Sequence, residues 1–328
     1  MQIRWCFISA VILLTACTKD YNFNLDNNKP LYVIEGRISD LQGPYYIQIT
    51  RSTNLFGYPR TRDLIDTFEA VQGAQVTIAD DMGMVDTLIP VVYSSPRWLY
   101  TYKNGILDSQ VIDFPGTYIN YKRGYYQTTK IRGMPGHSYH LDVRIGDSTF
   151  QASAYMPRVP DLDSAAIKSD TIVNAAGDKG HLPLVWFKEP PDEKNYYMLQ
   201  FYSHIGEYPY DMFLMHSNKN NYSIPFVVDD KILPPYVNGL SVQLIIPDSY
   251  PYPGPGPYYN IRPYEPSLFR LSSLTKEAYN YFTVLRKQLQ TDGNVYKPVP
   301  ASASGNIKGG ALGLFWASSI SYKLILPK

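Results

Sequence analysis

The segment that decides the fold is Leu31-Tyr32-Val33-Ile34-Glu35-Gly36-Arg37-Ile38, in which side chains facing a core alternate with side chains facing outward. Gly43-Pro44 follows as a turn, and Tyr45-Tyr46-Ile47-Gln48-Ile49-Thr50 repeats the alternation. A period of two places every second side chain on the same face of a strand. Two strands around a turn are therefore predicted.

The same period recurs further along the chain, at 74–78, 139–145 and 149–154, beside turns such as Gly146-Asp147. No strong helical period separates these runs. Short strands without crossover helices predict an antiparallel β-sandwich of immunoglobulin-like or transthyretin-like type. Because Met156-Pro157-Arg158-Val159-Pro160 breaks the pattern, this first domain is predicted to span residues 31–160.

Residues 161–328 are predicted to form a second β-rich domain that carries one amphipathic helix at about 275–291. Thr275 can cap the helix, and Ala278 to Leu289 have helical spacing up to Asp292-Gly293. Strands are expected at 184–187, 196–202, 212–215, 241–246 and 312–326.

Residues 247–266 are rich in proline and tyrosine, and we expect a projecting loop because proline cannot donate to a strand ladder. Rigid aromatic side chains are typical of binding surfaces. A solvated insertion is the alternative reading. The candidate binding residues are Tyr250, Tyr252, Tyr258, Tyr259, Arg262 and Tyr264.

The N-terminus predicts export and lipidation. Arg4 precedes an apolar run too short to span a bilayer, and the run ends in Leu14-Thr15-Ala16-Cys17. We predict a signal peptide over residues 1–16, acyl chains on Cys17, and a flexible, asparagine-rich tether over 17–30 that holds the protein at a membrane.

Composition excludes other classes. The formal net charge is +1, with dispersed Lys and Arg, which argues against a nucleic-acid partner. The only cysteines are Cys6 and Cys17, so no disulfide can form within one mature chain. The 30 tyrosines and 26 prolines suit β-structure with stiff, amphipathic loops.

Motifs for catalysis are not found in the sequence. His137 and His140 lie three apart in a strand pattern and should face opposite sides, so they are not expected to share a metal. No nucleophile elbow, zinc helix or phosphate loop is present. The pairs Asp80-Asp81, Asp161 with Asp163, and Asp229-Asp230 suit turns better than a calcium loop. We therefore expect a protein without catalytic residues, cofactor or metal.

Several segments together resemble the Bacteroidota lipoprotein family known as domain of unknown function 4249. They include 33–36, 73–76, 135–139, 156–160, 274–281, 292–293 and 305–315. The resemblance implies an outer-membrane lipoprotein without established activity, commonly encoded beside TonB-dependent receptors. Thr18 and Lys19 in place of Asp favour the outer membrane, and Lys19-Asp20 is similar to a truncated surface-export signal.

Asp163-Ser164-Ala165 and Asp170-Thr171-Ile172 resemble sites at which Bacteroidota attach O-glycans, with Ser164 and Thr171 as acceptors. An ordinary polar linker is the alternative for these residues.

These observations predict a surface-exposed lipoprotein that acts as an accessory or cargo-binding subunit of a TonB-dependent receptor, with a glycan or a peptide as ligand. The alternative is a free-standing adhesin or glycan-binding protein. A lipoprotein hydrolase is a third reading, because catalytic groups can converge in space without being adjacent in sequence.

Overall fold

A computed structural model describes residues 30–52, 69–91, 96–103, 106–113, 124–168, 172–173, 179–202, 226–241, 246–247, 249–250, 259–260, 267–291 and 303–326. The fold is mainly β, as predicted, and it is built from several antiparallel sheets with one α-helix in the described ranges. Within these ranges, no helix has the length and hydrophobicity needed to span a membrane.

Among the described residues, the first half of the chain contributes eleven strands. They are β1 (Tyr32–Ser39), β2 (Tyr46–Arg51), β3 (Glu69–Ala70), β4 (Gln75–Asp80), β5 (Val85–Thr87), β6 (Ile89–Pro90), β7 (Pro96–Lys103), β8 (Ile106–Asp113), β9 (Tyr125–Gln127), β10 (Ser138–Ile145) and β11 (Ser148–Tyr155).

The second half contributes thirteen more strands and the helix. They are β12 (Leu162–Ile167), β13 (Ile172–Val173), β14 (Lys179–His181), β15 (Pro183–Lys188), β16 (Tyr196–Tyr202), β17 (Phe226–Asp229), β18 (Tyr236–Ser241), β19 (Ile246–Pro247), β20 (Ser249–Tyr250), β21 (Tyr259–Asn260), β22 (Ser267–Leu274), α1 (Lys276–Thr291), β23 (Phe315–Ser318) and β24 (Ile320–Ile325).

The predicted sandwich is formed by two sheets, one ordered β23-β1-β2-β9-β6 with β3 on β2, the other β11-β10-β4-β5. Their inward residues follow the period of two seen in the sequence, and they close one hydrophobic core. That core includes Ile34 and Ile47 from one sheet and Ile78 and Leu141 from the other, all at most 1% exposed. The sequence pattern thus indicated the correct core face.

The second half is organised around the sheets β12-β15-β18 and β17-β16-β22-β24. Val185 and Phe187 of the first sheet pack with Leu199 and Leu271 of the second in another buried cluster. Three smaller pairings complete the described strands: β13-β14-β19, β20-β21 and the hairpin β7-β8. The strand predicted at 212–215 lies outside the described residues.

The predicted helix is present as α1 and lies against the β17-β16-β22-β24 sheet. The Thr275 hydroxyl accepts a hydrogen bond from the Ala278 N–H at 3.3 Å, which is the predicted cap. Ala278 and Phe282 then pack with Met198 and Leu274 of the sheet. The apolar stripe at helical spacing therefore packs against the sheet, as the sequence indicated.

The C-terminal segment returns to the first sandwich, which the sequence did not reveal. β23 pairs with β1 in parallel, with Gly36 opposite Phe315 and Ile38 opposite Ala317. Phe315 is fully buried in the sandwich core. The sandwich therefore contains residues from beyond the predicted range of 31–160.

A glycine-rich strap, defined here as residues 303–314, leads into β23. Leu312 and Leu314 accept hydrogen bonds from the N–H groups of Ile34 and Gly36 at 2.9 and 3.1 Å. Gly313 lies between them with φ of +104°, and a Cβ atom at this position would fall 2.1 Å from the Ile34 carbonyl oxygen. Only glycine meets both constraints.

Candidate functional site

The proline- and tyrosine-rich segment is described at few of its residues. Tyr252, Tyr258, Arg262 and Tyr264 lie outside the described residues, whereas Tyr250 and Tyr259 oppose each other in the β20-β21 pair. The expectation that 247–266 contains no strand is wrong at this pair. The paired residues, Ser249 and Tyr250 with Tyr259 and Asn260, are not prolines, so they retain their N–H groups for a ladder.

The modification sites fall on different parts of the chain. Cys17 and Thr171 lie outside the described residues. Ser164 is exposed on β12, where it pairs with Trp186 of β15. The alternative of a polar linker is therefore wrong at Ser164, since the residue belongs to a sheet, and O-glycosylation of its hydroxyl stays a prediction.

Two of the three acidic pairs, Asp80-Asp81 and Asp229-Asp230, have local structural roles. Asp80 accepts hydrogen bonds from the N–H groups of Met82 and Met84 at 3.0 and 2.8 Å, which shapes the β4-β5 turn. Asp229 caps a short 3-10 helix, Asp230–Ile232, and Lys194 forms an ion pair with both carboxylates. Of the residues that the structure describes, no three His, Cys, Asp or Glu side chains are grouped to hold a metal.

The two histidines at 137 and 140 have separate partners. His137 Nδ1 lies 2.7 Å from Asp81 Oδ1, and this hydrogen bond lowers the pKa of Asp81. His140 Nδ1 lies 2.9 Å from the Ser153 hydroxyl across the β10-β11 ladder. Asp142, two residues along β10, pairs instead with Gln151 and Arg144. The Ser153–His140 contact therefore has no carboxylate from Asp142 to orient the ring as a base.

A buried polar network lies in the second half, around Glu189. Its Oε1 accepts hydrogen bonds from the Tyr197 hydroxyl at 2.9 Å and the Asn195 amide at 3.2 Å. Burial raises the pKa of Glu189, and burial beside that carboxyl raises the pKa of Tyr197. Because Glu189 and Tyr197 are only 7% and 1% exposed, a substrate cannot reach them, and we assign the network to structure.

The feature most suited to binding is a cleft at the seam of the sandwich, which we call the seam cleft. It has a volume of about 290 Å³ and lies between β11, β23 and the start of α1. Its lining residues are Ser138, Ser153, Ala154, Tyr155, Thr275, Glu277, Ala278, Asn306, Leu314, Phe315, Trp316 and Ala317.

Asn306 joins the two strands that border the seam cleft. Its side-chain amide donates to the carbonyl oxygens of Ser153 and Phe315 at 2.9 and 2.7 Å, and its Oδ1 accepts from the Phe315 N–H at 2.9 Å. One side chain thus fastens the edges of both sheets.

The chemistry of the seam cleft suits binding. Glu277 is the only ionisable acid or base among its lining residues, apart from the Tyr155 phenol. Tyr155 is 48% exposed and presents an aromatic ring to solvent. Trp316 is held in place by an edge contact with Phe282, at 5.2 Å between ring centroids, and by the Arg37 guanidinium 5.4 Å from its ring.

Sequence reasoning did not detect the seam cleft. Its residues come from four separate stretches, and the Asn306–Ser153 hydrogen bond joins positions 153 apart in the chain. The sequence feature nearest to it is the segment 305–315, which contributes to the family resemblance.

Comparison with known proteins gives one match. The profile described as domain of unknown function (DUF4249) matches residues 18–323, which is nearly the whole chain. No curated protein matches it. The chain therefore belongs to the DUF4249 family, whose function is unknown.

Proposed function

We propose that this protein is a lipid-anchored outer-membrane protein that binds rather than catalyses, as an accessory or cargo-binding subunit of a TonB-dependent receptor. The observation that carries the proposal is Leu14-Thr15-Ala16-Cys17 after a short apolar run, which is typical of a lipidation signal. Membership of DUF4249 supports it through the resemblance described above.

The position of β1 supports a spacer role for the sandwich. The tether joins the fold at Leu31, where the Tyr32 ring packs on Phe150 at 5.3 Å. The other end of β1 leads to Asp40, which accepts a hydrogen bond from Ile320 of β24 in the second half. At roughly 3.3 Å per residue, β1 separates these two ends by about 25 Å.

We therefore assign different tasks to the two parts of the fold. In this proposal the sandwich is the membrane-proximal part, and the sheets β12-β15-β18 and β17-β16-β22-β24 lie farther from the lipid. The contacts found for His137, His140 and Asp80 are structural, which supports binding over hydrolysis. We assign segment 247–266 to the contact with the receptor or its cargo.

Co-purification tests the proposal. A C-terminally tagged full-length protein is extracted from outer membranes in mild detergent, and the proteins that accompany it are identified by mass spectrometry. We expect a stoichiometric TonB-dependent receptor. A variant lacking Tyr250 to Tyr264 should lose it if this segment makes the contact.

Two control variants are needed to interpret the co-purification. Cys17→Ser should abolish membrane association, because the acylated cysteine is the proposed anchor. Within segment 247–266, the double variant Tyr252→Ser with Tyr258→Ser keeps the chain length and removes only two aromatic rings. A protein that purifies alone from intact outer membranes would refute the accessory role and favour a free-standing glycan-binding protein.

A further inference from the structure

The seam cleft is bordered by the outer edge of β11, which the strap covers only in part. β11 is the last strand of its sheet, and Gln151 exchanges backbone hydrogen bonds with Lys308 of the strap on its outer side. In an antiparallel strand, backbone groups two residues apart point the same way. The N–H and C=O groups of Ser153 and Tyr155 therefore also point away from β10.

Within the part of the chain that the structure describes, one of these four groups has a partner. The Ser153 carbonyl accepts from Asn306, whereas the Ser153 N–H and both backbone groups of Tyr155 have no partner among the described residues. The strand edge ends at Met156, whose N–H donates to the His137 carbonyl. A stretch of three residues, about 10 Å long, is thus available for pairing.

The other border of the seam cleft, β23, also has backbone groups that point outward. Leu314 bonds to Gly36 of β1, so the alternation along β23 turns Phe315 and Ala317 outward. Phe315 is satisfied by the Asn306 side chain. Ala317 has no such partner among the described residues, although it is only 1% exposed. Ala317 therefore borders the cleft as a lining residue of β23.

We propose that the seam cleft binds an extended peptide segment of a partner protein, which adds to the free edge of β11 as a short strand. Main-chain pairing supplies the affinity in this mode, and neighbouring side chains supply the selectivity. The volume of about 290 Å³ limits the inserted part to a few residues. This inference rests on the proposed function in one respect, since we assign the segment to the receptor.

The lining residues define the chemistry of the segment. Glu277 places a carboxylate at the cleft, and no Lys, Arg or His lines it. A Lys or Arg side chain in the bound segment is the charge complement. Tyr155, half exposed beside the open edge, provides a ring on which an aliphatic or aromatic side chain can pack.

A matched pair of variants tests the main-chain pairing. Ser153→Ala removes only the hydroxyl, whereas Ser153→Pro removes the N–H that faces the cleft and leaves the β10 ladder intact, as prolines at strand edges do. The probe is a phage-displayed library of random heptapeptides, selected on the full-length protein in detergent. Far-UV circular dichroism and the urea midpoint verify that both variants fold.

We expect enriched peptides that carry Lys or Arg, that bind wild type and Ser153→Ala equally, and that bind Ser153→Pro about tenfold more weakly. Peptides that bind Ser153→Pro as tightly as wild type would overturn the proposal, as would a selection without enrichment over empty micelles.

If Ser153→Pro does not fold, Glu277→Gln decides the question. It should weaken a selected peptide about threefold or more, and it should not affect the same peptide with its cationic residue changed to Ala. Equal effects on both peptides would refute the cleft as the binding site.

The source of the segment is tested separately, by repeating the co-purification with Ser153→Ala and Ser153→Pro. Loss of the receptor only from Ser153→Pro supports the assignment. A receptor retained by Ser153→Pro overturns the assignment of the bound segment to the receptor and leaves the proposed function intact. If wild type retains no receptor, the proposed function fails, and the heptapeptide selection still decides whether the cleft binds peptides.

Discussion

The attachment of the C-terminal segment to the sandwich predicts a large effect of Gly313→Ala. Gly313 has φ of +104°, and its new Cβ would lie 2.1 Å from the Ile34 carbonyl oxygen. Gly310→Ala is the matched control, because Gly310 has φ of +88° in the same strap and open space around the added Cβ. Both variants carry backbone strain of about 1–3 kcal/mol.

The clash is specific to Gly313. To relieve it, the strap must move away from β1, which breaks the hydrogen bonds from Ile34 to Leu312 and from Gly36 to Leu314. At about 0.5–1.5 kcal/mol each, their loss adds about 1–3 kcal/mol to the strain. Gly313→Ala should therefore lower the free energy of unfolding by about 1–3 kcal/mol more than Gly310→Ala does.

Urea unfolding followed by tryptophan fluorescence measures this difference, because Trp316 lies on β23 beside the perturbed strap. The slope of the free energy against urea should stay constant between the two variants. A difference between them smaller than about 0.5 kcal/mol would refute the conclusion that close contact between the strap and β1 stabilises the sandwich.

Two further changes test other contacts of the C-terminal segment. Asn306→Ala removes three hydrogen bonds to Ser153 and Phe315, and it should lower the free energy of unfolding, measured by thermal unfolding, by about 2–4 kcal/mol. The control Ser304→Ala, at an exposed residue, should cost almost nothing. Equal losses of stability in the two variants would contradict the bridging role of Asn306. Asp40 is exposed as a whole residue, but partial desolvation of its carboxyl raises its pKa to about 6 from 3.8. Between these values the folded chain keeps a proton that the unfolded chain has released, so stability should fall as the pH rises from about 4 to 6. Asp40→Asn preserves the acceptor for the Ile320 N–H and should flatten this part of the urea midpoint's pH dependence, whereas an unchanged slope would show that Asp40 does not cause it.

The strands that the sequence predicted well are those with one buried and one outward face. β10 and β11 are clear cases, since buried and exposed side chains alternate along both. β22 was not predicted, because all eight of its residues are buried. α1 covers one face of its sheet, the Val185–Leu271 cluster covers the other, and a strand enclosed on both faces has no alternation to detect.

The candidate site residues also differ in how far the local sequence determines their contacts. The role of Asp80 in its turn involves neighbours close in sequence, Met82 and Met84. The partners of the two histidines are more distant, since Asp81 is 56 residues from His137 and Ser153 is 13 residues from His140. The strand at Ser164 depends on pairing with Trp186, and local sequence contains no information about that partner.

By itself, the sequence determined the β class, the core face of the first sandwich, the helix near 276–291 and the family to which the chain belongs, because each depends on a local period or on motifs in order along the chain. Only the tertiary structure decided that β23 completes the first sandwich and that Asn306 joins two sheet edges around an open cleft. The physical reason is that hydrogen bonds between distant backbone segments depend on how the sheets assemble, and no local pattern of hydrophobicity encodes which edges meet.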